Sequence, residues 1–197
     1  MNPPAIPPSD ANDRGYLERL GGRLEPAWGD FSFEPGSRAA AVVAILLRRG
    51  GHWIIPFVVR RPDLRSHPGQ VGLPGGSIET GETPWEAAAR ESEEELGVPA
   101  AELIPLGSGG RTHLSVHNYC VLPFVAYLGD PDATFIANPQ ELTGVLEVRL
   151  DHLLDPERWR IDRSSRLGRH FPTQPTPIWG LTVRLLDDLL PRLEAAL

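Results

Sequence analysis

The chain contains no lysine: its 19 basic residues are all arginine. That absence removes lysine Schiff-base chemistry, a phosphate loop completed by lysine, and a serine–lysine dyad. The single cysteine, Cys120, excludes an internal disulfide, and its place in an apolar, strand-like run predicts a small buried hydrophobe. No run nears the roughly 18 apolar residues that would span a bilayer. The leading MNPPAIPPSDAND has neither a basic region nor an apolar core, so it predicts no secretory signal, and the expected setting is cytoplasmic. The net charge of −7 argues against general nucleic-acid binding, which depends on a basic surface. It does not argue against one phosphorylated small molecule, which a few local arginines can hold.

What is present reads as one α/β domain. With 197 residues the chain is long enough for a full core, and no repeat or low-complexity linker divides it. Residues 1–12 read as a flexible, proline-rich lead-in and 13–197 as the domain. A helix is predicted over Asp13–Leu20. Arg38–Arg48 and His52–Arg60 are apolar, β-branched runs that Gly50-Gly51 should join as a hairpin. Leu103–Leu106, Asn118–Leu128 and Val145–Leu150 read as strands, and Asp151–Leu154 as a short helical turn. Trp159–Asp162 and His170–Pro172 suggest a last hairpin, before an amphipathic helix over Ile178–Leu197 that Pro191 should disturb. Gly107-Ser-Gly-Gly-Arg-Thr112 is like a phosphate loop only on its surface and reads as a turn.

The most informative segment is Gly76–Val98, GSIETGETPWEAAARESEEELGV. Thr83 is a natural N-cap, Pro84 suits the first helical position, Glu86 completes a capping box, and Gly97-Val98-Pro99 is a stop signal. Glu91, Glu93, Glu94 and Glu95 crowd the C-terminal end of this helix, where the helix dipole disfavours carboxylates and like charges one turn apart repel. At about 100° per residue, Glu91, Glu94 and Glu95 fall within roughly 100° of arc. Trp85, Ala89, Ser92 and Leu96 form the face expected to be buried. A chain that accepts such crowding has a cation to place there, the competing reading being a solvated acidic helix.

Gly76, Glu82, Arg90, Glu91, Glu94, Glu95, Gly97 and Val98 follow the pattern G-x5-E-x7-R-E-U-x-E-E-x-G-U, where U is aliphatic. The segment therefore resembles the Nudix box, with Ser92 as the one departure. The resemblance implies an α/β/α sandwich around a mixed β-sheet, and Mg²⁺ or Mn²⁺ bound by carboxylates, as hard cations prefer. It further implies Glu91 and Glu95 as ligands, with Glu94 close behind and the Gly75 carbonyl contributing. Arg90 would hold the cluster, and Glu82 would act through the metal or its water shell.

Upstream stands Arg60-Arg-Pro-Asp-Leu-Arg-Ser-His-Pro-Gly-Gln-Val-Gly-Leu-Pro-Gly-Gly76. It resembles the extra signature of the coenzyme A pyrophosphatase branch, roughly R-[SA]-x-x-L-R-x-H-x-G-[QE]-[VI]-[SC]-F-P-G-G. We match Arg61, Leu64, Arg65, His67, Gly69, Gln70, Val71, Pro74, Gly75 and Gly76 to it, with Pro62, Gly72 and Leu73 as departures. Pro177-Ile-Trp-Gly-Leu-Thr182 also resembles the branch. The resemblance implies cleavage of coenzyme A to 3′,5′-ADP and 4′-phosphopantetheine. The open alternatives are another nucleoside diphosphate derivative, such as NADH or ADP-ribose, and a non-catalytic nucleotide sensor.

Arg60, Arg61 and Arg65 are candidate phosphate ligands, or ordinary surface arginines. His67 and Gln70 either reach substrate or shape the loop, and His-Pro-Gly favours shaping. Glu141 is a candidate base or further ligand, with Glu147 a weaker one. His113 and His117 have the spacing of some zinc sites but lack supporting partners. Trp85, Trp159 and Trp179 are adenine-stacking candidates or core residues.

Overall fold

The computed structural model describes residues 11–28, 31, 33, 36–114 and 118–197. In chain order the elements are α1 (Ala11–Gly21), β1 (Arg38–Arg49), β2 (His52–Arg60), β3 (Val71–Gly72), β4 (Gly75–Ser77), α2 (Pro84–Leu96), β5 (Leu103–Ser108), β6 (Thr112–Leu114), β7 (Tyr119–Leu128), β8 (Leu142–Arg149), α3 (Leu150–Leu154), β9 (Arg160–Asp162), β10 (Gly168–His170) and α4 (Leu181–Glu194).

β1 is the organising strand. Its run of alanine, valine, isoleucine and leucine buries both faces, as a central strand must when helices cover both sides. Ala41, Val43, Ile45 and Leu47 pack with Trp85, Ala88 and Leu96 of α2, together with Phe124. Ala40, Ala44 and Leu46 belong to the opposite core, with Leu17 and Leu20 of α1, Leu153 of α3, and Leu186 and Leu189 of α4. The result is an α/β/α sandwich.

The sheet between these layers has eight strands in the order β3-β2-β1-β7-β5, with β4 beside β1, β6 beside β7 and β8 beside β2. It is mixed: β1 and β7 run parallel, while β1–β2, β2–β8 and β5–β7 are antiparallel. At Gly50-Gly51 both residues take positive φ, +56° and +80°, as a tight hairpin turn requires. Beyond Leu47–Ile54 the two strands part, and β4 takes the vacated edge of β1 through Ala40–Ser77, Ala41–Gly76 and Val42–Gly75. That divergence seats the two glycines against the middle of the sheet.

Several boundaries differ from expectation. Ala11 and Asn12 belong to α1 rather than to the lead-in, and residues 1–10 lie outside the described residues. β3 and β4 occupy a Gly- and Pro-rich stretch without strand-like alternation; neighbouring strands supply their pairing. β5 continues through Gly107 and Ser108 into the expected turn, and Thr112 already begins β6. Gly107, at φ +151°, passes α1's exit so closely that a Cβ would lie 2.5 Å from Leu24 Cβ. It is a packing glycine. β8 begins at Leu142, three residues before Val145. α4 begins at Leu181, because Ile178 is engaged with Phe171 by a pair of backbone hydrogen bonds and Gly180 turns at φ +66°. Pro191 falls in the last turn of α4, which it does not break.

Candidate active site

α2 forms where local chemistry dictates. The Thr83 hydroxyl accepts from the Glu86 N–H at 3.2 Å, and the Glu86 carboxylate accepts from the Thr83 N–H at 2.8 Å. Such a cap contributes about 1 kcal/mol. Gly97 closes the helix in the left-handed region at φ +69°, its N–H donating to the Glu93 carbonyl. Ser92 is fully buried on the core face and donates its hydroxyl to the Ala88 carbonyl at 2.8 Å, so its departure from an aliphatic residue is satisfied within the helix.

The glutamates then separate by direction. Glu93 points away and accepts from the Ala100 N–H, tying α2 to the following turn. Glu94 is 56% exposed, whereas Glu95 is only 3% exposed and accepts from the Gly75 N–H at 3.0 Å. Glu91 lies against β4, where a Cβ on Gly76 would stand 2.3 Å from its Oε1. Gly75 meets backbone instead: a Cβ there would be 2.3 Å from the Ala41 carbonyl oxygen, and its φ of +147° disfavours any side chain. The two adjacent glycines thus serve different neighbours.

Arg90 binds the cluster from one side. Its Nε donates to Glu82 Oε1 at 2.8 Å, its Nη1 to Glu91 Oε1 at 2.9 Å and Glu94 Oε2 at 3.3 Å, and its Nη2 to the Ser77 carbonyl at 3.2 Å. Glu82 also accepts from the Glu79 N–H. The Arg90 hydrogen bond holds the Glu82 carboxyl below its ordinary range and raises the guanidinium in return.

Burial does the reverse for the helix carboxylates. Glu95 is pushed up to about 7, first by burial and then by the charges of Glu91 and Glu141, against the opposing Gly75 N–H and Arg60. Burial raises Glu91 too, despite Arg90. These groups are short of positive charge. Among the described residues no three His, Cys, Asp or Glu side chains are gathered closely enough to chelate one ion. Chelation therefore requires side-chain rotation about a fixed backbone. The donor type fits: adjacent carboxylate oxygens, shaped by two glycines, suit a hard divalent cation.

Glu141 joins the site through a device that the sequence pattern does not show. The end of α2 leaves carbonyls without helical partners. The Leu96 carbonyl accepts from the Ile136 N–H at 2.8 Å, and that of Glu95 from the Asn138 N–H at 3.1 Å. Asn138 in turn accepts from the N–H groups of Glu141 and Leu142. This loop docking brings Glu141 Oε2 to 3.8 Å from Arg60 Nη1, which is also 3.6 Å from Glu95 Oε1.

The upstream residues divide as well. Counting back from Leu64 through R-[SA]-x-x-L, the signature arginine falls on Arg60, and Arg61 occupies the small-residue position. The geometry agrees with this correction. Arg61 forks onto Asp63 and reaches the Pro139 carbonyl at 2.8 Å, so its guanidinium ties the loop together instead of facing the glutamates. Its N–H also donates to the Glu141 carbonyl. His67, at φ +52°, pairs through Nδ1 with Gln70 Oε1 at 3.2 Å, a loop-shaping contact. Arg65 is exposed on the same loop, and its guanidinium has no partner among the described residues.

Other candidates lie elsewhere. Glu147 pairs with Arg49. His113 is exposed on β6, and His117 lies outside the described residues. Trp85 and Trp159 are core residues, packed edge-on against Phe124 and Phe171, whereas Trp179 is half-buried. Cys120 is buried, as expected.

Residues 37–167 match the NUDIX domain family. The Nudix hydrolase NudL of Yersinia enterocolitica is 32% identical over 165 residues, 80% of this chain and 83% of the relative. The mitochondrial Nudix hydrolase 15 of Arabidopsis thaliana is 30% identical over 165 residues, 78% of this chain and 57% of the relative. The MutT protein from Methanosarcina mazei Go1 shares the fold, with a TM-score of 0.53 at 21% identity over 83% of this chain and 97% of that one. So does the NUDIX domain of Shewanella oneidensis NrtR, solved with ADP ribose, with a TM-score of 0.53 at 14% identity over 82% of this chain and 94% of that one. No described helix is long and apolar enough to cross a membrane. With Glu91, Glu94 and Glu95 on one helix, Glu82 tied to it through Arg90, and a family match across most of the sheet, the chain belongs to the Nudix hydrolase family.

Proposed function

We propose that this Nudix hydrolase cleaves the pyrophosphate bridge of coenzyme A or its acyl or oxidised derivatives. Water adds to one bridge phosphorus while the bond to the bridging oxygen breaks, releasing 3′,5′-ADP and 4′-phosphopantetheine or its modified form. A bound divalent cation, Mg²⁺ or Mn²⁺, supplies charge that neutralises pyrophosphate oxygens and lowers the pKa of water. Glu91 and Glu95 would hold it, with Glu94 and the Gly75 carbonyl beside them.

The chain's own residues supply the rest. Arg90 fixes Glu82 and Glu91 through charge-assisted hydrogen bonds, so the carboxylates are oriented before substrate arrives. Glu141, its side chain half exposed, would accept the proton of the attacking water. Arg65 and Arg60 offer guanidinium forks to phosphate oxygens outside the glutamate cluster.

One observation carries the choice of coenzyme A. The loop bearing the upstream signature is fastened to the glutamate site by hydrogen bonds from Arg61 N–H to the Glu141 carbonyl and from Arg60 N–H to the Gln70 carbonyl, both at 2.9 Å, and presents Arg65 without a partner among the described residues. The second branch-like segment meets the same place, since Thr182 donates its hydroxyl to the Val71 carbonyl at 2.9 Å. Coenzyme A carries a 3′-phosphate apart from its pyrophosphate, which gives an arginine beyond the glutamate cluster something to bind. A sensor role is disfavoured because every box glutamate is present.

The test is mass-spectrometric product analysis with Mg²⁺ or Mn²⁺ and matched concentrations of coenzyme A, dephospho-coenzyme A, NADH and ADP-ribose. Release of 3′,5′-ADP from coenzyme A, with dephospho-coenzyme A markedly slower, is the expected result. Preference for NADH or ADP-ribose would overturn the substrate assignment, and no turnover of any would revive the sensor reading.

A further inference from the structure

The two arginines at the glutamate cluster are in opposite states. Arg90 makes hydrogen bonds to three carboxylates and a carbonyl. Among the described residues Arg60 makes no side-chain hydrogen bond: Nη1 stands 3.6 Å from Glu95 Oε1 and 3.8 Å from Glu141 Oε2, and Nε is buried without a partner there. A buried donor left unpaired is costly, so this conformation is held by charge rather than by fitted bonds. Arg60 also sits where the β2–β8 register shifts, between Val59 and Arg60. Such irregularities re-aim side chains next to active sites. Its side chain is 25% exposed, which leaves a route outward.

We propose that Arg60 is a positioning residue that serves as the counter-ion of Glu95 and Glu141 in the metal-free protein and gives way when a divalent cation takes Glu95. This rests on the metal-binding reading above. Metal-free, the guanidinium offsets two carboxylates that would otherwise repel each other and Glu91. Metal-bound, the same guanidinium would face a dication at close range, which Coulomb repulsion disfavours. It then turns outward to solvent, where phosphate oxygens satisfy the fork that Glu95 leaves unfilled. The cation and Arg60 compete for the same charge, so the site holds its metal loosely until a polyanion arrives to take the arginine.

Mn²⁺ binding, followed by the electron paramagnetic resonance of the free ion, tests this in the wild type, Arg60→Gln, Arg60→Lys and, as a charge-removal control at the far end of β8, Arg149→Gln. Thermal unfolding is measured with and without saturating Mn²⁺. Arg60→Gln should bind Mn²⁺ about tenfold or more tightly, the effect of lifting roughly one close charge contact. Its melting temperature should be lower than wild type without metal and equal to it with metal. Arg60→Lys should restore both readouts, and Arg149→Gln should leave Mn²⁺ affinity unchanged. Equal Mn²⁺ affinity in Arg60→Gln and wild type, or a melting deficit that metal does not remove, would overturn the proposal. Failure of all four proteins to bind Mn²⁺ would overturn the metal assignment beneath it.

Discussion

The two sides of the glutamate cluster teach different lessons about what a site needs before its ligand arrives. On the Arg90 side every donor has an acceptor, and Glu82 is held below its ordinary pKa. On the Arg60 side a buried carboxylate is pushed up to about 7, and a buried Nε has no partner among the described residues. The first side is finished protein and the second is waiting for charge. Both arginines lie within reach of the same helix, so composition does not explain the contrast. Location does: Arg90 is on α2 itself, beside Glu91 and one turn before Glu94, whereas Arg60 is delivered by β2 and meets Glu95 only through the sheet.

The largest effect expected from breaking this contrast is on the waiting side. Glu95→Gln should cut turnover by about 4 kcal/mol of transition-state stabilisation, roughly a thousandfold. Steady-state kinetics at saturating Mg²⁺ would measure it, and unchanged turnover would remove Glu95 from the site.

Gly75 and Gly76 sharpen the comparison, because each lends space to a different kind of neighbour. Gly75→Ala sets a Cβ against the Ala41 carbonyl at 2.3 Å and Val42 Cα at 2.5 Å, at a positive φ. Unfolding in denaturant should show a loss of about 3 kcal/mol or more. Gly76→Ala meets the carboxylate end of the Glu91 side chain rather than backbone. It should leave the denaturation midpoint within about 1 kcal/mol of wild type while displacing Glu91 and weakening Mn²⁺ binding. Equal denaturation curves for the two variants would contradict the arrangement.

Arg90→Ala frees Glu82, Glu91 and Glu94 at once. Because the pairs are partly exposed, the stability cost should be modest, about 1–2 kcal/mol by chemical denaturation, with a larger loss in turnover as Glu91 loses its orientation.

The smallest effect is a pH dependence. Glu95 is raised in the folded protein from 4.5 to about 7, so the native state holds a proton that the unfolded chain has released. Its contribution to stability is therefore fully present below about pH 4.5 and is lost as pH rises through about 7. Glu82 is shifted down, so its contribution is already complete above 4.5 and does not mask this window. Melting temperatures of the metal-free protein should decline across that range, and saturating Mg²⁺ should flatten the slope. A rise in stability there without metal would contradict the burial of Glu95.

What the sequence made legible was what neighbours along the chain determine. The caps of α2, the Gly50-Gly51 hairpin and the buried face carrying Ser92 are all local, and each stands as expected. β3 and β4 were hidden because their pairing comes from β1 and β2 and leaves no alternation in a stretch of glycine and proline. Arg60 and Arg61 are indistinguishable by type; the signature spacing separates them, and the fold shows that one faces Glu95 while the other forks onto Asp63. The docking of Asn138 on the carbonyl end of α2, which brings Glu141 inward, depends on a contact more than forty residues away in the chain. A helix C-terminus followed far downstream by Asn-Pro was the only hint available.

The most direct test is a crystal soaked in Mn²⁺ and examined by anomalous scattering. A peak about 2.1 Å from carboxylate oxygens of both Glu91 and Glu95, with the Arg60 guanidinium turned away from Glu95, is the predicted result. Mn²⁺ bound elsewhere, or no peak while Arg60 still faces Glu95, would contradict the account.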